Sequence, residues 1–228
     1  MAINSNLNAS LFNYTQTRRD SYFEIILTKC IDVYNTIILS KVSLPNDENT
    51  IRDEFLKYLQ NLAFKKNYEL KYLKFDKETV ENTGRADIRV LSTKDEYVND
   101  EAYYTIECKR LDSKNVRGTT GLNAEYIKNG ICRYVCNYYK SYNGVCAMFG
   151  FIVSPMNITQ NIDNINLLLT KSYTNQQGKS VKANAIQNLV YTNFANGYWY
   201  SYVSKHKCKS GKDICLYHLM FDFSQNIK

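Results

Sequence analysis

Residues 103–109 read Tyr-Tyr-Thr-Ile-Glu-Cys-Lys, and this short stretch decides how the rest of the chain is interpreted. Aromatic and β-branched residues dominate it, so it predicts a β-strand. Successive side chains of a strand point to opposite faces, which puts Ile106 and Cys108 on one face. Glu107 and Lys109 share the other face. We therefore expect a carboxylate beside an ammonium on a sheet whose opposite face packs into a core.

A second acidic residue lies twenty positions before Glu107, in the strand-like segment Arg85–Leu91. Ile88 and Val90 are expected to pack inward, which leaves Asp87 on the opposite face. If the two strands are neighbours, Asp87 lies beside Glu107. Two converging carboxylates suit Mg²⁺, because this cation takes oxygen ligands and keeps several of its waters. A lysine next to the metal would stabilise charge on phosphate oxygens and help to align the attacking water.

Asp87, followed by Glu107-Cys108-Lys109, resembles the signature of the PD-(D/E)XK nucleases, the restriction-endonuclease-like superfamily. Ala86 stands where that signature nominally has proline. The order of predicted elements over about 50–153 also resembles the core of the superfamily: helix, strand, strand with Asp, strand with Glu-x-Lys, helix, strand. The resemblance implies an endonuclease that hydrolyses phosphodiester bonds, in DNA in preference to RNA. Its expected biological role is in restriction, phage defence or DNA maintenance.

The resemblance also implies a set of site residues. Asp87, Glu107 and the Cys108 backbone carbonyl are expected to bind Mg²⁺, for which Mn²⁺ would substitute. Lys109 is expected to stabilise the transition state and position the water. Glu54, on the helix before the strands, corresponds to the additional glutamate of many family members and is expected to be a catalytic residue and metal ligand.

Hydrophobic spacing predicts the remaining elements. The fold class is α/β, with a restriction-endonuclease-like core, a mixed central sheet flanked by helices, and a C-terminal β-hairpin. Residues 1–17 are expected to form an arm, and residues 18–228 one nuclease-like domain. Helices are predicted at 20–39, 50–65, 123–139, 158–171 and 182–192, and strands at 68–75, 85–91, 102–109, 145–153, 198–204 and 214–223, with a hairpin loop over 207–212.

The charge balance favours a polyanionic partner. Lys and Arg number 29 against 22 Asp and Glu, which gives a formal net charge of +7. Nucleic acid is the natural candidate for such a partner. The residues expected to contact it are Arg85, Lys114, Arg117, Lys128 and Arg133.

Composition excludes other classes. The hydrophobic fraction of 44% and the charged fraction of 22% are those of a folded globular protein and argue against disorder. Residues 145–153, the longest apolar run, are too few to cross a bilayer as a helix, so no membrane partner is expected. The N-terminus lacks the pattern of a secretory signal, which predicts a cytoplasmic protein. Seven cysteines at irregular spacing predict reduced thiols and match no zinc module.

Three alternatives stay open at this stage. The Glu-x-Lys pair by itself also fits a solvated, salt-bridged strand face. The same fold could serve as a non-catalytic or weakly active nucleic-acid-binding module, or hold a metal enzyme for a small phosphorylated metabolite. His206 and His218 could serve the core or touch substrate. A double-strand cut would require a homodimer if each chain carries one centre.

Overall fold

The computed structural model of the chain describes residues 14–80, 84–93, 103–139, 144–195 and 197–228. It is an α/β structure with a mixed sheet of seven strands and helices on both faces. The helices are α1 (Tyr14–Leu39), α2 (Glu48–Gln60), α3 (Leu62–Asn67), α4 (Leu122–Tyr126), α5 (Cys132–Val135) and α6 (Ile158–Leu168), with a π-helical turn at Ile127–Ile131 between α4 and α5. The strands are β1 (Leu73–Val80), β2 (Arg85–Ser92), β3 (Tyr103–Leu111), β4 (Val145–Ile152), β5 (Ser172–Thr174), β6 (Ser180–Lys182), β7 (Ala185–Tyr191), β8 (Ser201–Lys207) and β9 (Asp213–Asp222).

The large sheet has the strand order β1-β2-β3-β4-β9-β8-β7. Its centre is parallel, because β4 runs parallel to both β3 and β9. Antiparallel pairs extend it at both ends. β5 and β6 form a separate small hairpin.

β4 shows why the sheet is covered on both sides. Every residue of the strand is buried, as expected for a central parallel strand. Ala147 and Phe149 belong to the core beneath α1 and α2, whereas Cys146 and Met148 belong to the core beneath α4, α5 and α6. Alternate side chains of β4 thus belong to the two hydrophobic cores on opposite faces of the sheet.

Three strands and two helices were predicted correctly. The structure confirms strands at 85–91, 102–109 and 145–153 within one or two residues, and helices at 20–39 and 158–171 within a few residues. The long α1 begins at Tyr14, inside the predicted arm, and the rest of that arm, residues 1–13, lies outside the described ranges.

The helix predicted at 182–192 is wrong, because this segment forms β7, which pairs with β8 at the edge of the sheet. Ile186, Leu189 and Val190 recur at helical spacing. The pairing of β7 contains two register shifts, between Ala185 and Gln187 and between Gln187 and Val190. Such irregularities disturb the alternation that normally identifies a strand, and here they produce a helix-like pattern.

Three other predictions need correction. The single helix expected at 50–65 is instead α2 and α3, which are separated at Asn61. The strand expected at 68–75 is displaced, since β1 begins at Leu73 after a turn in which Glu69 has a φ of 60°. The single helix expected at 123–139 is instead α4, a π-helical turn and α5, which ends at Val135. All seven cysteines have free thiols, as expected. Among the described residues, no helix combines the length and apolarity needed to cross a membrane.

A buried polar chain connects the C-terminal strands to α4. Four hydrogen bonds of 2.7–2.8 Å link Tyr126, His218, Ser204, His206 and the carbonyl of Ala183 in that order. Since that carbonyl only accepts, His206 Nδ1 must donate, and every other proton in the chain then has one consistent position. Both histidines are completely buried, which assigns them to the core.

Acid should destabilise the protein through His206. Burial lowers the pKa of His206 to about 4, against an ordinary value of 6.5. As the pH falls, the unfolded chain therefore protonates this histidine before the folded protein does. The contribution of neutral His206 to the free energy of unfolding is complete above pH 6.5 and is lost as the pH falls towards 4. We expect this group to remove about 3 kcal/mol from the free energy of unfolding over that window.

Urea titrations at several pH values between 7 and 4 measure this loss. His206→Gln should show a flatter pH dependence than the unaltered chain, because the carboxylates titrate alike in both proteins. Equal slopes in the two proteins would rule out His206 as the group responsible.

Candidate active site

Strand pairing places the first two predicted site residues side by side. β2 and β3 are antiparallel, with Ile88 opposite Ile106, so Asp87 lies beside Glu107. The backbone N–H of Cys108 donates to Asp87 Oδ2 over 2.8 Å. Asp87 is thereby attached to the strand that carries the Glu-x-Lys motif.

The ammonium of Lys109 lies among oxygen atoms from three elements. Its Nζ is 2.9 Å from Glu107 Oε1 and 3.9 Å from Asp87 Oδ2. It also donates to Glu48 Oε1 at 2.8 Å and to the Cys108 carbonyl at 2.7 Å. One buried cation is thus enclosed by three carboxylates and one carbonyl.

Glu48, rather than Glu54, is the helix glutamate that joins this cluster. Glu48 lies in the first turn of α2, and its second oxygen accepts from the backbone N–H of Arg110 at 3.0 Å. Glu54 comes six residues later, and at 3.6 residues per turn it points away from Glu48 around the helix. It pairs with Lys57 instead, at 3.2 Å.

Glu107 is fully buried and has three partners besides the backbone. Lys109 and Arg133 Nη1 both approach its Oε1 at 2.9 Å, and the Tyr139 hydroxyl donates to Oε2 at 2.9 Å. Burial raises the pKa of Glu107 to about 7, although Lys109 and Arg133 oppose this shift. Burial would lower the pKa of Lys109, but Glu107, Asp87 and Glu48 raise it above its ordinary value.

Arg52 holds Asp87 from the other side. It is only 1% exposed and extends from α2 towards the sheet. Its guanidinium bonds to Asp87 Oδ1 at 3.1 Å, to Glu78 at 3.2 Å and to Asp53 at 2.9 Å. The position of Asp87 is therefore fixed through both of its oxygens, and sequence reasoning missed Arg52 because a buried arginine within an amphipathic helix leaves no distinctive pattern.

The cluster opens into a cleft of about 520 Å³. Glu48, Asp87 and Lys109 line its floor, and the cleft also contains three of the predicted nucleic-acid contacts, Arg85, Lys128 and Arg133. Arg133, however, is already ion-paired with Glu107, and it donates a hydrogen bond to the Tyr139 hydroxyl at 2.8 Å.

The other two predicted contacts, Lys114 and Arg117, lie outside the lining of the cleft. Both side chains are exposed. Arg117 donates to Asn164 over 2.9 Å, which directs it towards α6. The cleft therefore gathers only part of the predicted basic set.

Gly130 allows the π-helical turn to lie close to the cluster. A Cβ atom at this position would be 2.3 Å from Met148 Cε and 3.6 Å from Lys109 Cγ. Such a contact is too short for any larger residue unless Met148 moves. Single π-turns occur frequently at functional sites, and this one leads directly into the helix that supplies Arg133.

The donor atoms around Lys109 match the chemistry of a hard cation. Within the described ranges, no three His, Cys, Asp or Glu side chains form a ready metal-binding group. The atoms that enclose the ammonium are nevertheless all oxygen: those of Asp87, Glu107, Glu48 and the Cys108 carbonyl. Carboxylate and carbonyl oxygens are the ligands that Mg²⁺ takes, and they already surround a positive charge here.

No protein-family model, curated protein or solved structure matches this chain.

Removing Arg52 should destabilise the fold strongly. Arg52→Met leaves the carboxylate of Asp87, which is 15% exposed, without its buried guanidinium partner. We expect a loss of about 3–5 kcal/mol in the free energy of unfolding, measured by urea titration. Asp87→Asn added to Arg52→Met should recover part of this loss, because it removes the orphaned charge.

Lys57→Met provides the matched control. The ammonium of Lys57, which pairs with Glu54 on the same helix, is exposed, and pairs with an exposed cation contribute about 1 kcal/mol or less. A loss of equal size in the Arg52 and Lys57 variants would contradict the role assigned to Arg52.

Proposed function

We propose that this protein is a metal-dependent nuclease of the PD-(D/E)XK type, which hydrolyses phosphodiester bonds in DNA in preference to RNA. The observation that carries the proposal is the convergence of Asp87 and the buried Glu107 on Lys109, with Asp87 and Lys109 lining an open cleft. The antiparallel pair β2–β3, followed through α4 and α5 by the parallel strand β4, supports a restriction-endonuclease-like core.

Asp87, Glu107, Glu48 and the Cys108 carbonyl would hold Mg²⁺, with Mn²⁺ as its substitute. When bound, such an ion polarises a phosphoryl oxygen and lowers the pKa of a coordinated water. Glu48 takes the place that the sequence assigned to Glu54. The metal is part of the proposal and follows from the oxygen set around Lys109.

The side chains of the cleft have separate tasks in this scheme. Lys109, once turned towards substrate, places its ammonium against a non-bridging phosphate oxygen and stabilises the charge that develops there. Arg133 and Tyr139 keep Glu107 in a fixed orientation, and Arg52 does the same for Asp87. These contacts keep the carboxylates preorganised.

Phosphates on either side of the scissile bond need binding groups as well. Arg85 is 61% exposed at the cleft and pairs with Glu78, while Lys128 pairs with Glu125 on the neighbouring helix. Both are cationic groups within reach of a backbone in the cleft. Their roles would be to position the substrate.

One observation favours a second candidate, a nucleic-acid-binding module of the same fold without cleavage. Glu48, Asp87 and Glu107 each already have a lysine or arginine partner, so the cluster is electrically satisfied as it stands. In this alternative the carboxylates stabilise the cleft and only the basic side chains meet the ligand.

Substitutions at the cluster separate these functions. Asp87→Asn and Lys109→Met should each reduce Mg²⁺-dependent nicking of supercoiled plasmid by at least about 100-fold, since each removes charge from the reacting centre. Glu48→Gln should have an effect of similar size. Glu54→Gln is the matched control on the same helix and should cut nearly as fast as the unaltered protein.

Circular dichroism and DNA affinity in EDTA verify that each variant is folded and still binds. Undiminished nicking by Asp87→Asn and Lys109→Met would refute the nuclease proposal. Binding without cleavage of supercoiled, linear, single-stranded or RNA substrates by the unaltered protein would favour the binding module. Loss of cutting in Glu54→Gln but not in Glu48→Gln would show that Glu54, and not Glu48, is the catalytic glutamate of the helix.

A further inference from the structure

The excess of positive over negative charge in the chain arises from one segment. Residues 164–212, between Asp163 and Asp213, contain seven lysines, no arginine and no acidic residue. The whole chain has 29 Lys and Arg against 22 Asp and Glu, so the remainder is balanced at 22 against 22. All of the formal net charge of +7 therefore arises from this segment.

The lysines of this segment are exposed and largely unneutralised. Lys207 pairs with Asp213 at 2.9 Å, and it alone of the seven forms an ion pair within the described parts of the chain. Several lysines elsewhere have acidic partners, for example Lys77 with Asp53. The seven are Lys171, Lys179, Lys182, Lys205, Lys207, Lys209 and Lys212.

The first lysine-bearing hairpin, β5–β6, forms a wall of the cleft. Asn175, Gln176 and Gln177 at its turn line the cleft, as does Val181. Asn175 donates to the Tyr138 hydroxyl at 2.9 Å, and that hydroxyl donates to Gln177 at 2.9 Å. Lys179 and Lys182 are exposed residues of the same hairpin, on either side of Val181 in sequence.

The second lysine-bearing turn joins β8 to β9 and packs on α5. The backbone N–H of Lys209 donates to the Val135 carbonyl at 2.9 Å, and the Cys208 thiol lies 3.7 Å from the Tyr134 carbonyl. α5 also supplies Cys132 and Arg133 to the cleft. Since β6 also contacts α5, both lysine-bearing hairpins adjoin the same short helix at one side of the cleft.

We propose that Lys179, Lys182, Lys209 and Lys212, named here the basic rim, bind the sugar-phosphate backbone of duplex DNA where it leaves the cleft. This inference rests on the proposed function, because it places the scissile phosphate at Lys109. Four exposed ammonium groups on two hairpins, none of them in an ion pair within the described residues, form a cationic surface. Such surfaces attract a polyanion without reading its sequence.

Charge reversal on the rim tests the proposal against a matched control. Lys179→Glu with Lys209→Glu changes the formal net charge from +7 to +3, since each reversal removes two units. Lys66→Glu with Lys71→Glu makes the same change beside β1, at the opposite edge of the sheet from β7. All four side chains are exposed, so both variants should fold.

Binding is measured by fluorescence anisotropy in EDTA, with labelled duplex DNA of roughly three helical turns. Salt is varied between about 50 and 200 mM. The rim variant should bind at least about tenfold more weakly at low salt, and the slope of log affinity against log salt should fall by about two. The control variant should stay within about threefold of the unaltered protein, with its slope unchanged.

Equal weakening in the two variants would show an effect of net charge alone and overturn the rim. Unchanged binding in the rim variant would overturn it as well, even if the protein cleaves DNA, in which case the nuclease proposal stands. Rim-dependent binding by a protein that cleaves nothing in Mg²⁺ would support the rim and refute the nuclease. Absence of DNA binding by the unaltered protein would overturn both.

Discussion

One buried ammonium, that of Lys109, joins β2, β3 and α2. A charge with little access to water is tolerated only when oxygens surround it, and here Asp87, Glu107 and Glu48 supply them. Those carboxylates in turn need further cations, which explains why Arg52 and Arg133 lie against the same cluster. The local geometry is therefore fixed by mutual charge compensation, and that compensation holds the carboxylates together at the base of the cleft.

Sequence reasoning found the part of this cluster that depends on strands. Alternation with a period of two places Glu107 and Lys109 on one face wherever the strand begins, and pairing of β2 with β3 brings Asp87 to them. The helix residue was missed because its position depends on where α2 starts. Asp47 caps the helix by accepting from the Thr50 N–H at 2.9 Å, so α2 begins at Glu48, two residues before the predicted start.

Other features depend on contacts between distant segments. Arg133 was predicted to contact phosphate because it is a basic residue on a helix near the motif. In the structure it pairs with Glu107 instead, and the π-helical turn before it, which positions it there, has no signature in the hydrophobic periodicity. The requirement for glycine at position 130 becomes apparent only in the folded structure, where Met148 lies opposite it. In β7, a helical spacing of apolar residues coincides with register shifts that appear only in the paired strand. In each case the tertiary environment, absent from a local pattern, determined the outcome.

The place of β9 in the sheet has a consequence for biosynthesis. This last strand of the sequence is inserted between β4 and β8, and α1 packs on it through Tyr34, whose hydroxyl donates to the Asp222 carbonyl at 3.1 Å. Both α1 and β4 are therefore synthesised before the strand on which they pack, and one edge of β4 remains unpaired until β9 follows. Nascent chains that stall before β9 would expose that edge and depend on chaperones until translation resumes.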